Sequence, residues 1–285
     1  MEVFNITNTS QDNNTINDEY ERKVIHIMNV VTCIIISVGL PLTLVAIYAL
    51  HSMVRSDHVA PIYVINLLVS DLIQFCCMII RITTKMWPHI RTLFHALSLF
   101  ASVGFMVCIA LERYLVIACP LWYRFRRTIK ISVVVSVAVW VLSLAFALPL
   151  IFGVKFKVLK ITFGIFFLLP LPLLIFFLGG TIKALFASRV PSDEKRRIVG
   201  ILVLVLLIYT LLFLPSIVQY LAKAGTFVDY LSFVLRRVSP LVDLLLYVFM
   251  RKGIIDKLLA AVCCCRMNSN DSSRMDSNDV CSSSV

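Results

Sequence analysis

Three oxygen-bearing side chains, Asp71, Ser102 and Asp243, lie inside long apolar stretches of the chain. Polar groups in such surroundings are costly and mark candidate functional sites. Two carboxylates and a hydroxyl that meet at mid-depth would suit a small hard cation such as sodium, because hard cations prefer oxygen ligands. The alternative is a hydrogen-bonded packing contact without an ion.

A second group of side chains is basic and belongs to the opposite ends of the same stretches. Arg81 lies ten residues after Asp71, roughly 15 Å along a helix. Together, these basic positions predict a pocket for an anionic extracellular ligand, lined by Arg81, His95, Arg236 and Arg237. Adjacent helical residues point about 100° apart, so only one of the last two is expected to face the cavity well.

Histidines offer a different ligand, the proton. His26, His89 and His95 lie toward the same side of the apolar stretches, and imidazole titrates near pH 6.5, where its charge can report acidity. Proton sensing is therefore the alternative to anion binding.

A third group, Glu112-Arg113-Tyr114, ends an apolar run and precedes a basic cluster at 124–127. In partly dry surroundings, a carboxylate holds a neighbouring guanidinium until a better partner is offered. The alternative is an interfacial arginine that reaches the lipid headgroups.

The elements that must position these groups are membrane helices. The chain has 285 residues, 60% of them hydrophobic and 15% charged, and its mean hydropathy is +0.92. Such a composition excludes a soluble domain, and a bilayer crossing takes about 20 apolar residues. Seven runs are long enough: 24–50, 59–80, 93–117, 131–152, 161–186, 198–221 and 227–250.

The basic residues lie in alternate connections between these runs, which explains the net charge of +11 better than a nucleic-acid partner does. This distribution predicts a multi-pass plasma-membrane protein with its N-terminus outside and its C-terminus in the cytoplasm. The sequence shows no metal-ligand spacing, catalytic dyad or phosphate-binding loop. We therefore expect no enzyme and no cofactor other than the possible sodium ion.

The predicted fold is an all-α membrane protein, a seven-transmembrane helix bundle with a short amphipathic surface helix. Residues 1–23 are expected to form a disordered extracellular tail that carries glycosylation sequons at Asn5, Asn8 and Asn13. The bundle takes residues 24–250. Residues 251–262 are expected to lie on the inner membrane lipids, and residues 263–285 to form a disordered tail. Candidate lipidation sites are Cys263, Cys264 and Cys265.

Short motifs at fixed places in these runs resemble the rhodopsin-like (class A) family of G-protein-coupled receptors. They are Asn66-Leu-x-x-x-Asp71, Glu112-Arg113-Tyr114, Trp140, Phe213-Leu-Pro215 and Asp243-x-x-x-Tyr247. The resemblance covers residues 24–262 and is loosely closest to the nucleotide, lysolipid, proton-sensing and protease-activated branch.

The resemblance implies that the chain transmits an extracellular signal to a heterotrimeric G protein. The basic pocket residues predict that this signal is an anionic small molecule or lipid. Activation would free Arg113 from Glu112, with Tyr114 beside it, to meet the G protein. Phe213 would act as a toggle above Pro215, and Tyr247 would swing inward. The family's sodium site would correspond to Asp71, Ser102 and Asp243.

Several positions depart from the family pattern. Thr43 and Leu244 replace the usual asparagine and proline of the first and seventh spans, and Pro88 stands where the third-span cysteine of the outer disulfide is expected. These departures leave two alternatives open: a receptor-like protein that does not couple to a G protein, and a transporter.

Overall fold

The computed structural model describes residues 3–54, 62–84, 88–119, 121, 123, 129–152, 155–187, 192–221 and 225–250. These residues form eight α-helices and one 3₁₀ turn. The helices are α1 Val3–Val54, α2 Ile62–Thr83, α3 Pro88–Ala118, α4 Ile129–Ala147, α5 Phe156–Leu168, α6 Pro170–Ala187, α7 Ser192–Leu221 and α8 Thr226–Met250, and the 3₁₀ turn is Leu148–Leu150.

The predicted all-α, seven-span fold is confirmed in the described part of the chain. Helices α5 and α6 together make the fifth span, so that eight helices give seven crossings. Six spans are long and apolar enough to cross a membrane: His26–His51, Ile62–Thr83, Pro88–Ala118, Ile129–Leu150, Lys157–Phe186 and Ile198–Leu221. The seventh, α8, carries Asp229, Arg236, Arg237 and Asp243 within its length, which lowers its hydropathy.

The fifth span breaks at a proline. Helix α5 ends at Leu168, the amide of Leu169 still donates to the carbonyl of Ile165 at 3.0 Å, and Pro170 begins α6. Proline has no amide hydrogen to continue the ladder, and its ring disfavours helical backbone at the preceding residue.

Helix α1 begins at Val3, so the structure is helical through residues 3–23, where the sequence predicts a disordered tail. A physical reason is that extending an existing helix avoids the cost of nucleation, even through poor helix formers such as Asn and Thr. The backbone there differs from the expectation.

Helices α1, α2 and α8 meet in an apolar cluster. Ile35, Phe75 and Met78 form its buried centre, and Val238 and Leu241 of α8 pack against it. A polar contact joins α2 to α4, because the indole Nε1 of Trp140 donates to Oδ1 of Asn66 at 3.1 Å. Two residues of the motif set thus hold two spans together.

The chain divides into two compact units, Met1–Leu246 and Tyr247–Val285. Within the second unit, the structure describes only 247–250, the last turn of α8. The predicted surface helix at 251–262, the tail at 263–285 and its three cysteines lie outside the described residues.

Candidate functional site

The three oxygen-bearing residues of the predicted cation site come together in the middle of the bundle. Asp71 of α2, Ser102 of α3 and Asp243 of α8 are each completely buried. The hydroxyl of Ser102 donates to Oδ2 of Asp243 at 3.1 Å. The carboxyl groups of Asp71 and Asp243 lie close enough to interact directly. Three helices therefore contribute oxygen atoms to one buried cluster.

Several of these oxygens have no hydrogen-bond partner among the described residues: both carboxylate oxygens of Asp71, Oδ1 of Asp243 and the hydroxyl of Ser239. Buried polar atoms are normally paired, and two adjacent buried carboxylates need a positive charge. The donor set consists only of carboxylate and hydroxyl oxygens, which fits a hard cation such as sodium. Asp71, Asp243 and Ser102 would hold it, and Ser239 is an additional oxygen that the sequence reading missed.

A cavity of about 340 Å³ lies between this cluster and the end of the bundle at which α2 ends and α3 begins. Six basic side chains line it: Arg81, Arg91, His95, Lys160, Arg236 and Arg237. The structure therefore brings together all four predicted pocket residues and adds Arg91 and Lys160. Both lie at the end of a span, at a depth similar to that of Arg81. Their position along the spans could therefore have identified them as pocket residues.

The rest of the cavity wall is largely apolar. Its aromatic members are Phe100, Phe163, Phe167, Tyr220 and Phe233. Phe100 packs edge-on against Phe163, with ring centroids 5.0 Å apart. An apolar floor under a basic rim suits an amphiphilic anion, since the rim neutralises charge while the floor removes apolar surface from water.

Arg236 and Arg237 point to different neighbours, as their adjacency on a helix requires. Nη1 of Arg236 donates to the Ser216 hydroxyl at 2.9 Å and to Oε1 of Gln219 at 3.0 Å, both on α7. Arg237 is only 4% exposed, and it donates to the Thr32 hydroxyl and to the Met28 carbonyl of α1. Arg237 is thus mainly engaged in joining α8 to α1.

Phe233 lies against two guanidinium groups. The Arg81 guanidinium is 4.8 Å from its ring centroid and that of Arg237 is 4.2 Å away. Cation–π attraction of this kind is favourable where water is scarce. Phe233 therefore holds two like charges near each other at the cavity wall.

Phe213 and Pro215 lie below the cavity on α7. Phe213 is completely buried, and its ring stacks on Phe167 with centroids 5.2 Å apart. Phe167 itself lines the cavity. Its carbonyl accepts a hydrogen bond from the Tyr209 hydroxyl, and the Tyr209 ring contacts Phe213 at 5.1 Å. A change in the cavity can therefore reach Phe213 through one intervening ring.

At the other end of α3, Glu112 is buried and its Oε1 accepts a hydrogen bond from the Tyr123 hydroxyl at 2.8 Å. Tyr114 stacks on Phe177 of α6 with ring centroids 5.7 Å apart. Arg113, which lies between Glu112 and Tyr114 in the sequence, is half-buried. The sequence did not indicate Tyr123 as a partner of Glu112, because the chain turns between the two.

The remaining predicted sites have limited structural description. Tyr247 begins the last turn of α8, in the second compact unit. Asn5, Asn8 and Asn13 lie on the helical backbone of α1, with side chains outside the described part. Their glycosylation stays a prediction.

The fold and the buried polar groups define the class as a seven-span helical membrane protein with polar sites inside the bundle. Residues 42–160 match the family described as 7 transmembrane receptor (rhodopsin family). Over these residues, which are less than half of the chain, the sequence is similar to the rhodopsin-like family, and the similar proteins reported below are named as receptors.

Three similar curated proteins are each named as a receptor. The chain is 26% identical to bovine G-protein coupled receptor 68 over 148 residues, which is 48% of this chain and 41% of the relative. It is 24% identical to mouse chemokine XC receptor 1, over 72% of this chain and 70% of the relative. It is 25% identical to bovine lysophosphatidic acid receptor 5, over 67% of this chain and 62% of the relative. The alignment thus spans less than half the length of G-protein coupled receptor 68.

Proposed function

We propose that the chain is a plasma-membrane receptor that binds an anionic amphiphile from outside the cell and activates a heterotrimeric G protein. Its N-terminus would be extracellular and its C-terminus cytoplasmic. The observation that carries the proposal is the cavity of about 340 Å³ with six basic side chains at its wall.

The ligand class follows from the cavity lining. No carboxylate is among the described residues that line this cavity, so an anion would meet no negative charge that repels it. Arg81 and Arg236 reach it from α2 and α8, and guanidinium groups bind phosphate and carboxylate through paired hydrogen bonds. Phe100, Phe163 and Phe167 offer apolar surface for a chain or ring. The volume falls within the range of about 300–1,000 Å³ for small-molecule sites.

One relative supports this ligand class. Lysophosphatidic acid receptor 5 is named for an anionic lipid. Its identity with this chain is low, so the name supports an acidic amphiphile as a class and not one compound.

Signal transmission would use the contacts below the cavity. A ligand pressing on Phe167 would displace Phe213, which stacks on it two residues before Pro215. Proline lacks a backbone hydrogen bond, which lets α7 bend there. At the opposite end, Arg113 and Tyr114 would meet the G protein. The family resemblance gives Tyr247 a separate part in activation. Asp71, Ser102 and Asp243 would hold a sodium ion, which would offset the charge of the two carboxylates.

The test is nucleotide exchange by G proteins in membranes that contain the full chain, titrated with a panel of lysophospholipids and fatty acids. Arg81→Ala and Arg236→Ala each remove a charged hydrogen-bonding group that contacts the ligand, worth about 1.5–3 kcal/mol. We therefore expect the agonist potency to fall by about 10- to 100-fold.

Lys157→Ala is the matched control. It removes a positive charge near the same end of the bundle but from outside the cavity lining, and the potency should stay within about twofold. Equal potency in the wild type and both arginine variants would contradict the anion-binding function. A ligand that binds without causing nucleotide exchange by any G protein would support the alternative of a receptor-like protein that does not couple.

A further inference from the structure

A second cavity, of about 400 Å³, lies between α7 and α8. Its described lining consists of Gln219, Asp229, Tyr230, Phe233 and Arg236. Phe233 and Arg236 also line the first cavity. The two cavities therefore adjoin each other, with an aromatic ring and a guanidinium group at their common wall.

The charged groups of the two cavities differ. The first is lined by six basic groups and no carboxylate, whereas the second combines the carboxylate of Asp229 with the shared guanidinium of Arg236. Among the described residues, no ion pair of this carboxylate is found, and Asp229 is exposed. The hydrogen bonds of the Arg236 guanidinium go to Ser216 and Gln219 of α7. Arg236 is therefore held toward α7, and Asp229 stays available to a cation.

We propose that the second cavity is a subsite for the ammonium group of a zwitterionic amphiphile. The anion of this ligand would lie at Arg81 and Arg236 in the first cavity, and its ammonium group at Asp229. This inference rests on the proposed anion-binding function and narrows its ligand class.

The chemistry of the second cavity suits an ammonium group better than a second anion. Asp229 supplies the opposite charge, and the Tyr230 ring adds a surface to which cations are attracted. An anion there would face a carboxylate. Helical geometry places Asp229 and Arg236 two turns apart, about 10 Å of rise along α8. A headgroup with a phosphate and a nearby ammonium can therefore contact both side chains.

The experiment compares two probes with the same acyl chain, of which only one carries a choline group esterified to the phosphate. Purified full chain in lipid nanodiscs is titrated with oleoyl lysophosphatidylcholine, which is zwitterionic, and with oleoyl lysophosphatidic acid, which is anionic. In Asp229→Asn, we expect the affinity for the zwitterion to fall about tenfold. The affinity for the anion should stay the same or rise by up to a few-fold, since a repulsive carboxylate is gone.

Two further variants guard against a general effect on the fold. Tyr230→Leu keeps the charge of the cavity and removes the ring. It should lower only the affinity for the zwitterion, by about threefold. Asp18→Asn removes an acid from the N-terminal segment and should leave both affinities within twofold.

The outcomes separate this inference from the proposed function. If Asp229→Asn leaves both probes unchanged, or weakens both alike, the cationic subsite is wrong while the anion pocket stands. If neither probe binds the wild type at concentrations below their aggregation, both proposals are wrong.

Discussion

Asp71 and Asp243 place two carboxyl groups beside each other at complete burial. Among the described residues, one hydrogen bond, from Ser102, reaches the pair. Like charges at such close range and low dielectric repel strongly unless a cation or a proton offsets them. The stability of the bundle should therefore depend on what occupies this position.

We predict that sodium stabilises the purified receptor more than choline at equal ionic strength. Asp71→Asn should abolish this difference, because it removes half of the negative charge that holds the ion. In choline, the same substitution should raise the melting temperature, since it relieves the repulsion between the two carboxylates. A thermal-shift assay measures both effects.

Asp229→Asn serves as the control, because it removes a carboxylate far along α8 from the cluster, and it should retain the sodium effect. An equal melting temperature of the wild type in both salts would show that the cluster is a packing contact without an ion.

A second prediction at the residue scale concerns Tyr123. Its hydroxyl donates to the buried carboxylate of Glu112 at 2.8 Å, next to the arginine proposed to meet the G protein. Tyr123→Phe removes this bond and should shift the free-energy difference between the inactive and active states by about 1 kcal/mol toward the active state. Basal nucleotide exchange should then rise by about fivefold.

Tyr48→Phe provides the comparison. Because Tyr48 is 80% exposed on α1, this substitution should leave the basal rate of nucleotide exchange unchanged. Arg113→Ala combined with Tyr123→Phe should show no exchange. A Tyr123→Phe receptor with the wild-type basal rate would remove this hydrogen bond from the activation mechanism.

Four basic side chains that line the first cavity were predictable from sequence, and the partner of Glu112 was not. Arg81, His95, Arg236 and Arg237 lie on regular helices, where the rise per residue converts sequence position into depth. Tyr123 lies after the end of α3, where helical periodicity no longer predicts the direction in which a side chain points. Similarly, the pairing of Arg237 with Thr32 spans 205 residues, and only the packing of α8 on α1 reveals it.

At the scale of helices, α8 is linked to three others by polar side chains: Arg237 to α1, Asp243 to α3 and Arg236 to α7. Polar links are valuable in a bilayer, where lipid competes with apolar contacts between helices. The seventh span has the least apolar composition of the described spans, and these links compensate for it.

Thr32→Val tests the link between α1 and α8. Valine keeps the shape of threonine but cannot accept the hydrogen bond from Arg237, which retains only the Met28 carbonyl. We expect the free energy of unfolding to fall by about 1–2 kcal/mol. Detergent-induced unfolding of the purified receptor measures it.

Thr210→Val is the matched control, because the Thr210 hydroxyl bonds to Leu206 within its own helix, at 2.7 Å. Its effect should be below about 0.5 kcal/mol. Equal losses in the two variants would mean that the Arg237 contact does not stabilise the bundle.

At the scale of the whole molecule, the sequence correctly predicted seven helical spans, because length and hydropathy are sufficient to identify most of them. Its boundaries were less accurate where polar residues continue a helix: α2 runs to Thr83, beyond the predicted Ile80. The break of the fifth span at Pro170 was foreseeable as a kink but not as two helices, since many membrane helices tolerate proline.

The predicted orientation can be checked on intact cells. If the N-terminus is outside, Asn5, Asn8 and Asn13 are exposed to the glycosylation machinery, and an N-glycosidase should reduce the apparent mass of the surface protein. Substituting all three by Gln should abolish the shift. An epitope placed at the C-terminus should stain only after the cells are permeabilised. Staining of intact cells at that epitope would reverse the topology.

Phe167 belongs both to the wall of the ligand cavity and to the stack that ends at Phe213. Occupying the basic rim and pushing on this ring are therefore separable events. A molecule that keeps the acidic headgroup but carries a tail too short to reach Phe167 would fill the pocket without moving the helix beyond it. Trimming an agonist from its apolar end should thus convert it, step by step, into a partial agonist and then into a competitive antagonist.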